Sequence, residues 1–520
     1  MERSASTPDT LDPPDRRVRL VVAACALLQL VVGLIAIRQY GYFRDELYYL
    51  ACTRHLAFGY VDQPPLSIAL LRVVRLFSGD SLVGLRVVPL LAGVAIIVLT
   101  GRLVVRLGGG PRAAALACLA VVGAPVQLAF HHRYSMNALD GVFWLATALL
   151  LARAAPSRRA AAWAWLGVVL GLGLENKLSV LWLGAGVAVA LVLFDRPALR
   201  TRGPYVAAAI AAALFLPHLV WQVQSGFPTV EFMRNALQLK YRERSFFGFL
   251  TEVVLVMNPA TLPIWAVGLV APFVTRPRGT ARILACVALT AFVIVAATRS
   301  GKAEYLAAVI PIPLALGACA VERWSTTRAR TAGVALLGVG IAGLAVLVAP
   351  FAVPVLPVER FVAYQNALGL KPSSSEKKEL AELPQGYADM FGWTELADVV
   401  ADAASRLSPA ERERAVIWTV SGGYGSAAAL EIFGRERDLP PVISGHNNYW
   451  LWGPGRYDGS VAIVVGGRRE QVAPYFESLE QTGVVECGRC MPYENHKPVY
   501  IARGLRAPVA TMWAEEKSFE

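Results

Sequence analysis

The sequence predicts an α-helical polytopic membrane protein of about eleven transmembrane helices with a small α/β domain outside the membrane. Three observations carry this. The chain is 55% hydrophobic and only 17% charged, where soluble globular proteins average about 25% charged residues. From Arg19 to about Pro350 the apolar residues gather in long runs, and a helix needs about 20 such residues to cross the hydrocarbon core. Arginines then crowd alternate connections between the runs, as the positive-inside rule requires of cytoplasmic loops.

Taken in order, the spans fall near 19–38, 82–101, 113–130, 136–153, 160–175, 178–195, 204–223, 248–274, 280–297, 303–322 and 331–350. The first, Leu20–Ile37, reads as an anchor, because its apolar run is longer than a signal-peptide core and no small-residue cleavage site follows. The eighth contains Asn258-Pro259 and is expected to kink or break there. Arginine triplets stand before span one (Arg16, Arg17, Arg19) and after spans two (Arg102, Arg106, Arg112) and four (Arg153, Arg158, Arg159). They recur after spans six (Arg196, Arg200, Arg202), eight (Arg276, Arg278, Arg282) and ten (Arg323, Arg328, Arg330). A wrong span count would break that alternation. The expected organisation is a cytoplasmic tail at 1–18, a membrane domain at 19–350 and an extracytoplasmic α/β domain at 351–520, all at the cytoplasmic (inner) membrane.

Two outer loops are long enough to be structured. Loop 39–81 reads as two short helices suited to the membrane surface, Tyr42–Ala57 amphipathic and Pro65–Phe77 mostly apolar. Loop 224–247 also reads as helical. Beyond Glu359 the pattern becomes that of a soluble domain. A helix is expected near Glu395–Arg406, a strand at Arg414–Val420, then Ser421-Gly422-Gly423-Tyr424-Gly425 and a helix. Strands follow at 461–465, 484–486 and 499–502, with a helix at Glu470–Gln481.

The net charge of +12 belongs to the short loops and not to a basic, aromatic-interleaved surface, so nucleic acid is excluded as a partner. Of seven cysteines, Cys25, Cys52, Cys118, Cys286 and Cys319 lie in or beside apolar runs and read as packing residues. Cys487 and Cys490 form a close pair outside the membrane, where a disulfide is favoured; zinc with His496 or His446 is the weaker reading.

The chemistry gathers on the outer side. Asp45 and Glu46 follow span one within a ring of aromatic residues that includes Tyr49. An interfacial aromatic belt with solvated acids would look the same. Asp62-Gln63-Pro64-Pro65 holds another acid close to the membrane, although Pro-Pro is also a plain helix start. More telling are cations on outer connections: Arg133 after His131-His132, Lys177 after Glu175-Asn176, Lys240 with Arg242 and Arg244, and Arg299 with Lys302. Each alone reads as a snorkelling charge; together they suit an anionic headgroup at the outer leaflet, where Arg and Lys bind phosphate. Asp140, at the outer end of span four, costs free energy unless it faces a polar cavity or a partner. With His132, Asp62 and Tyr49 it is a candidate for an acceptor or sugar pocket.

Five motifs, in order, resemble the polytopic glycosyltransferases of the C-type fold, in the branch of protein O-mannosyltransferases and lipid A aminoarabinose transferases. They are Phe-Arg-Asp-Glu-Leu-Tyr-Tyr-Leu at 43–50, Asp-Gln-Pro-Pro-Leu at 62–66 and Arg-Tyr-Ser-Met-Asn-Ala-Leu-Asp at 133–140. Glu-Asn-Lys at 175–177 and Gly-Lys-Ala-Glu-Tyr-Leu at 301–306 with Pro311 complete the set. The resemblance covers about residues 20–320. It implies transfer, with inversion, of a sugar from a polyprenyl-phosphate donor to an envelope lipid, glycan or protein at the outer face of the membrane. It implies Asp45 as general base beside Glu46, and Lys302, Lys177, Lys240 and Tyr305, with Arg133, as the donor-phosphate site. Where some relatives carry a Lys before the paired prolines, this chain has Gln63. No cofactor is certain; a divalent cation is left open, with Asp45 and Asp140 as its ligands. The competing expectation is a transporter or flippase of lipid-linked anionic glycans, which would use the same cations without a base. The odd span number, the large outer domain and the lack of a visible repeat speak against it.

Overall fold

The computed structural model describes residues 15–520, except 276–278, 299–301, 373, 375 and 421–422. The chain begins with α1 (Arg16–Ala36), α2 (Arg44–Cys52), α3 (Leu66–Ser78), α4 (Leu82–Arg106), α5 (Pro111–Val122), α6 (Pro125–Phe130) and α7 (Met136–Ser157). Next come α8 (Ala160–Asn176), α9 (Val180–Phe194), α10 (Gly203–Gln224), α11 (Pro228–Asn235) and α12 (Phe246–Val256). Then α13 (Leu262–Val274), α14 (Gly279–Ala297), α15 (Pro311–Trp324) and α16 (Arg328–Ala352) close the apolar region.

This is a multi-pass membrane protein, but among the described residues six helices, not eleven, are long and apolar enough to cross: α1, α4, α7, α10, α14 and α16. A seventh crossing counts if α12 and the Pro259–Val274 stretch, bent by 97°, form one unit. Three further apolar helices, α5, α8 and α9, are shorter. Every expected span coincides with helix, and prolines account for part of the shortfall. Pro125 and Pro311 each restart a helix at its first turn, splitting the third and tenth spans, because proline lacks the N–H that would continue the preceding one. The break at Asn258 occurs where expected. Its side-chain amide donates to the carbonyls of Gly123 (3.0 Å) and Ile341 (3.1 Å) and accepts from Ala260 N (3.1 Å), so neighbouring helices satisfy the interrupted backbone.

Small residues set the packing of the bundle. A Cβ on Gly268 would lie 1.9 Å from the Pro313 carbonyl oxygen, and one on Gly317 would lie 1.8 Å from that of Ile264. The α13 and α15 backbones therefore touch, as helices do in lipid where van der Waals contact replaces the hydrophobic effect.

The tail runs through α17 (Val358–Ala367), the single turn α18 (Gln385–Ala388), α19 (Trp393–Ser405), α20 (Pro409–Arg414), β1 (Val416–Thr419), α21 (Tyr424–Phe433) and β2 (Val442–Ser444). It ends with α22 (Asn448–Trp452), β3 (Val461–Val465), α23 (Arg469–Val472), β4 (Phe476–Val485), β5 (Lys497–Leu505) and α24 (Val509–Glu515). The sheet order is β2-β1-β3-β5-β4, with β1 parallel to both β2 and β3 and β5 antiparallel to β3 and β4. Every residue of β1 and β3 is buried, as expected of parallel strands covered on both faces.

Two expectations fail here. The stretch 470–481 is not one helix: after α23 it becomes β4. Exposed Glu477 and Glu480 made it look like a solvated helix, yet outward charges equally suit an edge strand, where they block pairing with another chain. Secondly, α2 does not lie on the membrane surface. Leu47, Tyr48 and Leu50 are buried in one core with Ala427 and Ala428 of α21 and Ile417 of β1, so α2 joins the tail to the membrane helices. The α3 helix does keep an apolar exposed edge at Val73, Leu76 and Phe77.

Candidate active site

Neighbouring carboxylates on the first turn of α2 meet opposite environments. Glu46 accepts from Phe43 N (2.9 Å), from Tyr134 N (2.9 Å), and from Nε (3.2 Å) and a terminal nitrogen (3.0 Å) of Arg86. Four donors occupy the roughly four lone-pair positions of a carboxylate, and the side chains of Glu46 and Arg86 are 0% and 1% exposed. Arg86 also donates to the carbonyls of Gln39 (3.0 Å) and Gly41 (2.7 Å). The geometry thus gives Glu46 a structural place and leaves it no lone pair for the catalytic part expected of it. Arg86 was overlooked in the sequence, although an arginine inside an apolar run is itself a signal.

Asp45 is the open member. Its Oδ1 accepts from the Tyr424 hydroxyl (2.8 Å) and Arg44 Nε (3.3 Å), and its side chain is 37% exposed. Arg44 donates to Tyr493 Oη (2.9 Å), which donates to Asp389 Oδ1 (3.1 Å). Asp62 accepts from the Tyr48 hydroxyl (3.2 Å). Burial and then the Asp45 charge push the Asp62 carboxyl up to about 6. Asp389 is also pushed up to about 6, by burial with Asp45 and against the pull of Arg44. Gln63 is buried, and among the described residues neither atom of its amide has a hydrogen-bond partner.

The expected cations form a connected cluster around a residue that sequence reasoning missed, Glu376. Lys302 Nζ lies 3.3 Å from Glu376 Oε1 and 3.6 Å from Glu304, over the Tyr241 ring. Glu376 sits in an isolated antiparallel bridge with Tyr241, and Lys377 N donates to the Lys240 carbonyl (2.9 Å); the polar linker is thereby clamped to the second outer loop. Burial would raise the Glu376 carboxyl, but Lys240, Lys302 and Arg44 outweigh it and hold it at about 2. Burial opposes the charge on Lys302, yet Glu304 and Glu376 raise its pKa overall. Tyr305 donates to the Tyr241 hydroxyl (3.2 Å), and Lys177 stands over the Tyr305 ring. Lys177 Nζ also donates to Asn137 Oδ1 (2.7 Å) and lies 3.5 Å from Asp140, which accepts from Ser179 (2.7 Å). Glu376 therefore pairs with Lys302 within the field of Lys240 and Arg44, and Arg44 in turn donates to Asp45.

Other candidates fall at the edge. Arg133 stacks on the Phe43 ring and, with His132, lines a cavity of about 700 Å³ beside α12 and α16. That cavity mixes Arg242 and Arg244 with Leu255, Val256 and Ala352. Tyr49 is buried, its hydroxyl accepting from Met136 N (3.2 Å), which fixes the start of α7 and leaves no surface for a ligand. Asp140 accepts from Ser179 and lies beside Lys177 through Oδ2, and Asp45 accepts from Arg44 and Tyr424 through Oδ1. Among the described residues no group of three metal-ligating side chains occurs. Cys487 and Cys490 are disulfide-bonded, which removes the thiolates a zinc site would need. The segment 445–453 packs on the first outer loop: Asn448 accepts from Val61 N (3.0 Å), and Trp452 stacks on His55. Arg276, Arg278, Arg299, Ser421 and Gly422 lie outside the described residues.

Residues 62–221 match the family described as dolichyl-phosphate-mannose-protein mannosyltransferase. The lipid A galacturonosyltransferase RgtD of Rhizobium johnstonii is 28% identical over 194 residues, 36% of this chain and 40% of that one. ArnT from Cupriavidus metallidurans is similar in structure over 93% of this chain and 97% of its own, at 18% identity. The TM-score is 0.61 without ligand and 0.59 for the form bound to undecaprenyl phosphate. The oligosaccharyltransferase of Archaeoglobus fulgidus superposes over 82% of this chain and 64% of its own, with a TM-score of 0.51 and 14% identity. The class is therefore a polytopic membrane protein of the C-type glycosyltransferase fold. Within that fold, residues 62–221 are similar to the mannosyltransferase family, and the likeness to ArnT is one of fold.

Proposed function

We propose that this protein transfers a sugar from a polyprenyl-phosphate donor to a hydroxyl or comparable nucleophile of an envelope acceptor. The observation that carries the reading is Asp45: a partly exposed carboxylate, oriented by Tyr424 and by Arg44, which lines one cavity with Lys240 and with Glu376, the partner of Lys302. Asp45 would take the proton as the acceptor oxygen attacks the anomeric carbon. The bond from that carbon to the phosphate oxygen breaks, and the polyprenyl phosphate leaves with the electron pair. Its charge needs fixed cations, which Lys302, Lys177 and Lys240 supply with the Tyr305 and Tyr241 hydroxyls beside them. A phosphate arriving at Lys302 replaces Glu376 and Glu304 as its partner. The cavity beside α12 and α16 suits the lipid, with arginines for the headgroup and aliphatic side chains for the chain.

The same reading orders the membrane topology. The arginine triplets put the N-terminus inside and the tail outside, with α5 to α6, α8, α9, the bent α12–α13 unit and the 303–324 segment completing eleven crossings. On that topology 1–18 is a cytoplasmic tail, 19–350 the membrane domain and 351–520 the outer domain. The decisive assay is sugar transfer by purified Asp45→Asn protein. We expect a loss of about 100-fold or more with donor binding retained; wild-type transfer by this variant would end the assignment. Mass spectrometry of envelope glycans from a deletion strain then names the sugar.

A further inference from the structure

The transfer reading leaves the Cys487–Cys490 disulfide without a part. It closes a Cys-Gly-Arg-Cys loop between β4 and β5. So small a ring constrains the unfolded chain little compared with a long-range crosslink. The same spacing is used by dithiols that cycle between oxidised and reduced forms. Both cysteines are buried, in one core with Leu47, Tyr48 and Tyr49 of α2 and Trp393 of α19.

Two short routes lead from the disulfide to Asp45. The first is the turn 389–392 ahead of α19. Gly392 has a φ of +93°, and a Cβ there would lie 2.9 Å from Cys487 Sγ and 3.0 Å from Cys490 Cβ. The turn therefore rests directly on the bridge. On its other side it holds the start of α2: the Asp389 carbonyl accepts from Arg44 N (3.0 Å), and Trp393 Nε1 donates to the Tyr42 carbonyl (3.0 Å). Gly41 leaves no room for a Cβ beside the Met390 carbonyl. The second route is the loop after Cys490. Three residues on, Tyr493 accepts from Arg44 (2.9 Å) and donates to Asp389 Oδ1 (3.1 Å), whose Oδ2 lies 3.6 Å from Arg44. Arg44 Nε in turn donates to Asp45 (3.3 Å). Arg489, between the two cysteines, pairs with Glu359 of α17 (2.8 Å), so the loop is also tied to the linker.

We propose that the Cys487–Cys490 bridge is a redox-controlled brace for Asp45: oxidised, it fixes Arg44 and with it the base; reduced, it releases both. The step is thiol–disulfide exchange with a dithiol reductant. One thiolate of the reductant attacks a sulfur of the bridge, and its second thiol then closes the reductant's own disulfide. The two electrons and two protons end on Cys487 and Cys490 as thiols. Without the bond nothing ties the two sulfurs together under Gly392, and the 487–493 loop is freed. Lys302, Lys177 and Lys240 belong to other segments, so the effect falls on the chemical step and not on donor binding. Calling Asp45 the base rests on the transfer reading; the coupling of the bridge to α2 does not.

The test uses full-length protein in detergent, oxidised or treated with dithiothreitol, beside the Cys487→Ser/Cys490→Ser double variant. The variant keeps the test decisive if the buried bridge resists reduction, and alkylation with mass spectrometry reports the thiols released. Amide exchange is read on the segment 43–50, where Arg44 N reports its bond to Asp389 directly. Reduction and the double variant should both speed exchange there, while β1 and β3 keep theirs. The kcat of transfer should fall about tenfold, the equivalent of one hydrogen bond to a charged group, at unchanged donor KM. Reoxidation of the reduced protein should restore it. Equal exchange at 43–50 with and without the bridge would overturn the proposal. So would wild-type kcat in the double variant, or a loss expressed as a higher donor KM, which marks general loosening. Faster exchange in a protein that transfers no sugar in either form would remove the transfer reading alone.

Discussion

The two faces of α2 carry adjacent acids with different fates. Toward the membrane helices, Glu46 is enclosed by Arg86 and two backbone amides. Toward the tail, Asp45 shares one oxygen with Arg44 and Tyr424 and keeps exposed surface. Residue type does not separate them. What does is whether the surroundings consume the carboxylate's acceptor capacity. A saturated carboxylate stabilises a fold, while an unsaturated one held in place can accept a proton from a substrate.

Exchanging the two acids for amides is the strongest way to break that comparison. Asp45→Asn is expected to abolish transfer at nearly unchanged thermal stability, because a partly exposed ion pair contributes only about 0–1 kcal/mol. Glu46→Gln should do the reverse in kind. It leaves Arg86 buried and uncompensated, at a cost of about 3–5 kcal/mol, visible as a large drop in melting temperature and membrane yield. If Glu46→Gln melts like wild type, the strut is wrong. A smaller effect follows from Tyr424→Phe, which removes one donor to Asp45. Transfer should fall several-fold, matching about 1 kcal/mol for a single hydrogen bond, with donor KM unchanged; a rise in donor KM would move Tyr424 to the donor site.

The subtlest predictions concern pH. Asp62 has a folded-state pKa raised to about 6, above the unfolded value near 3.9. The folded protein therefore holds more protons between those values, and stability falls as pH rises from about 4 to 6. Asp62→Asn removes that slope, so its melting temperature should gain on wild type across this window and run parallel above it. Glu376 has the opposite sign. Its pKa is held down at about 2, so its contribution is full above about pH 4.5 and is lost as pH falls toward 2. Glu376→Gln should therefore destabilise the protein at pH 7 and converge with wild type in acid.

The periodic signals were the legible ones. Helix appears at every expected span, the eighth breaks at Asn258, and α3, α19, β1, β3 and β5 lie close to where alternation and turn residues placed them. The failures share a cause. The α2 stripe of Leu47, Tyr48 and Leu50 reads identically whether it faces lipid or a protein core, and β4 carries helix-like charge on an edge strand. Glu376, Tyr424, Asp389 and Tyr493 reach Lys302, Asp45 and Arg44 from distant parts of the chain, and nothing local marks them. Arg86 alone offered a readable clue.

From sequence alone came the membrane character, the positions of the apolar segments, the arginine alternation and the acids and lysines of the outer loops. Each reflects the transfer free energy or charge of one contiguous stretch. Only the folded chain decided which acid stays open, which lysine Glu376 engages and which turn the disulfide supports. Those outcomes depend on which groups are desolvated together, and that is set by contacts between segments hundreds of residues apart.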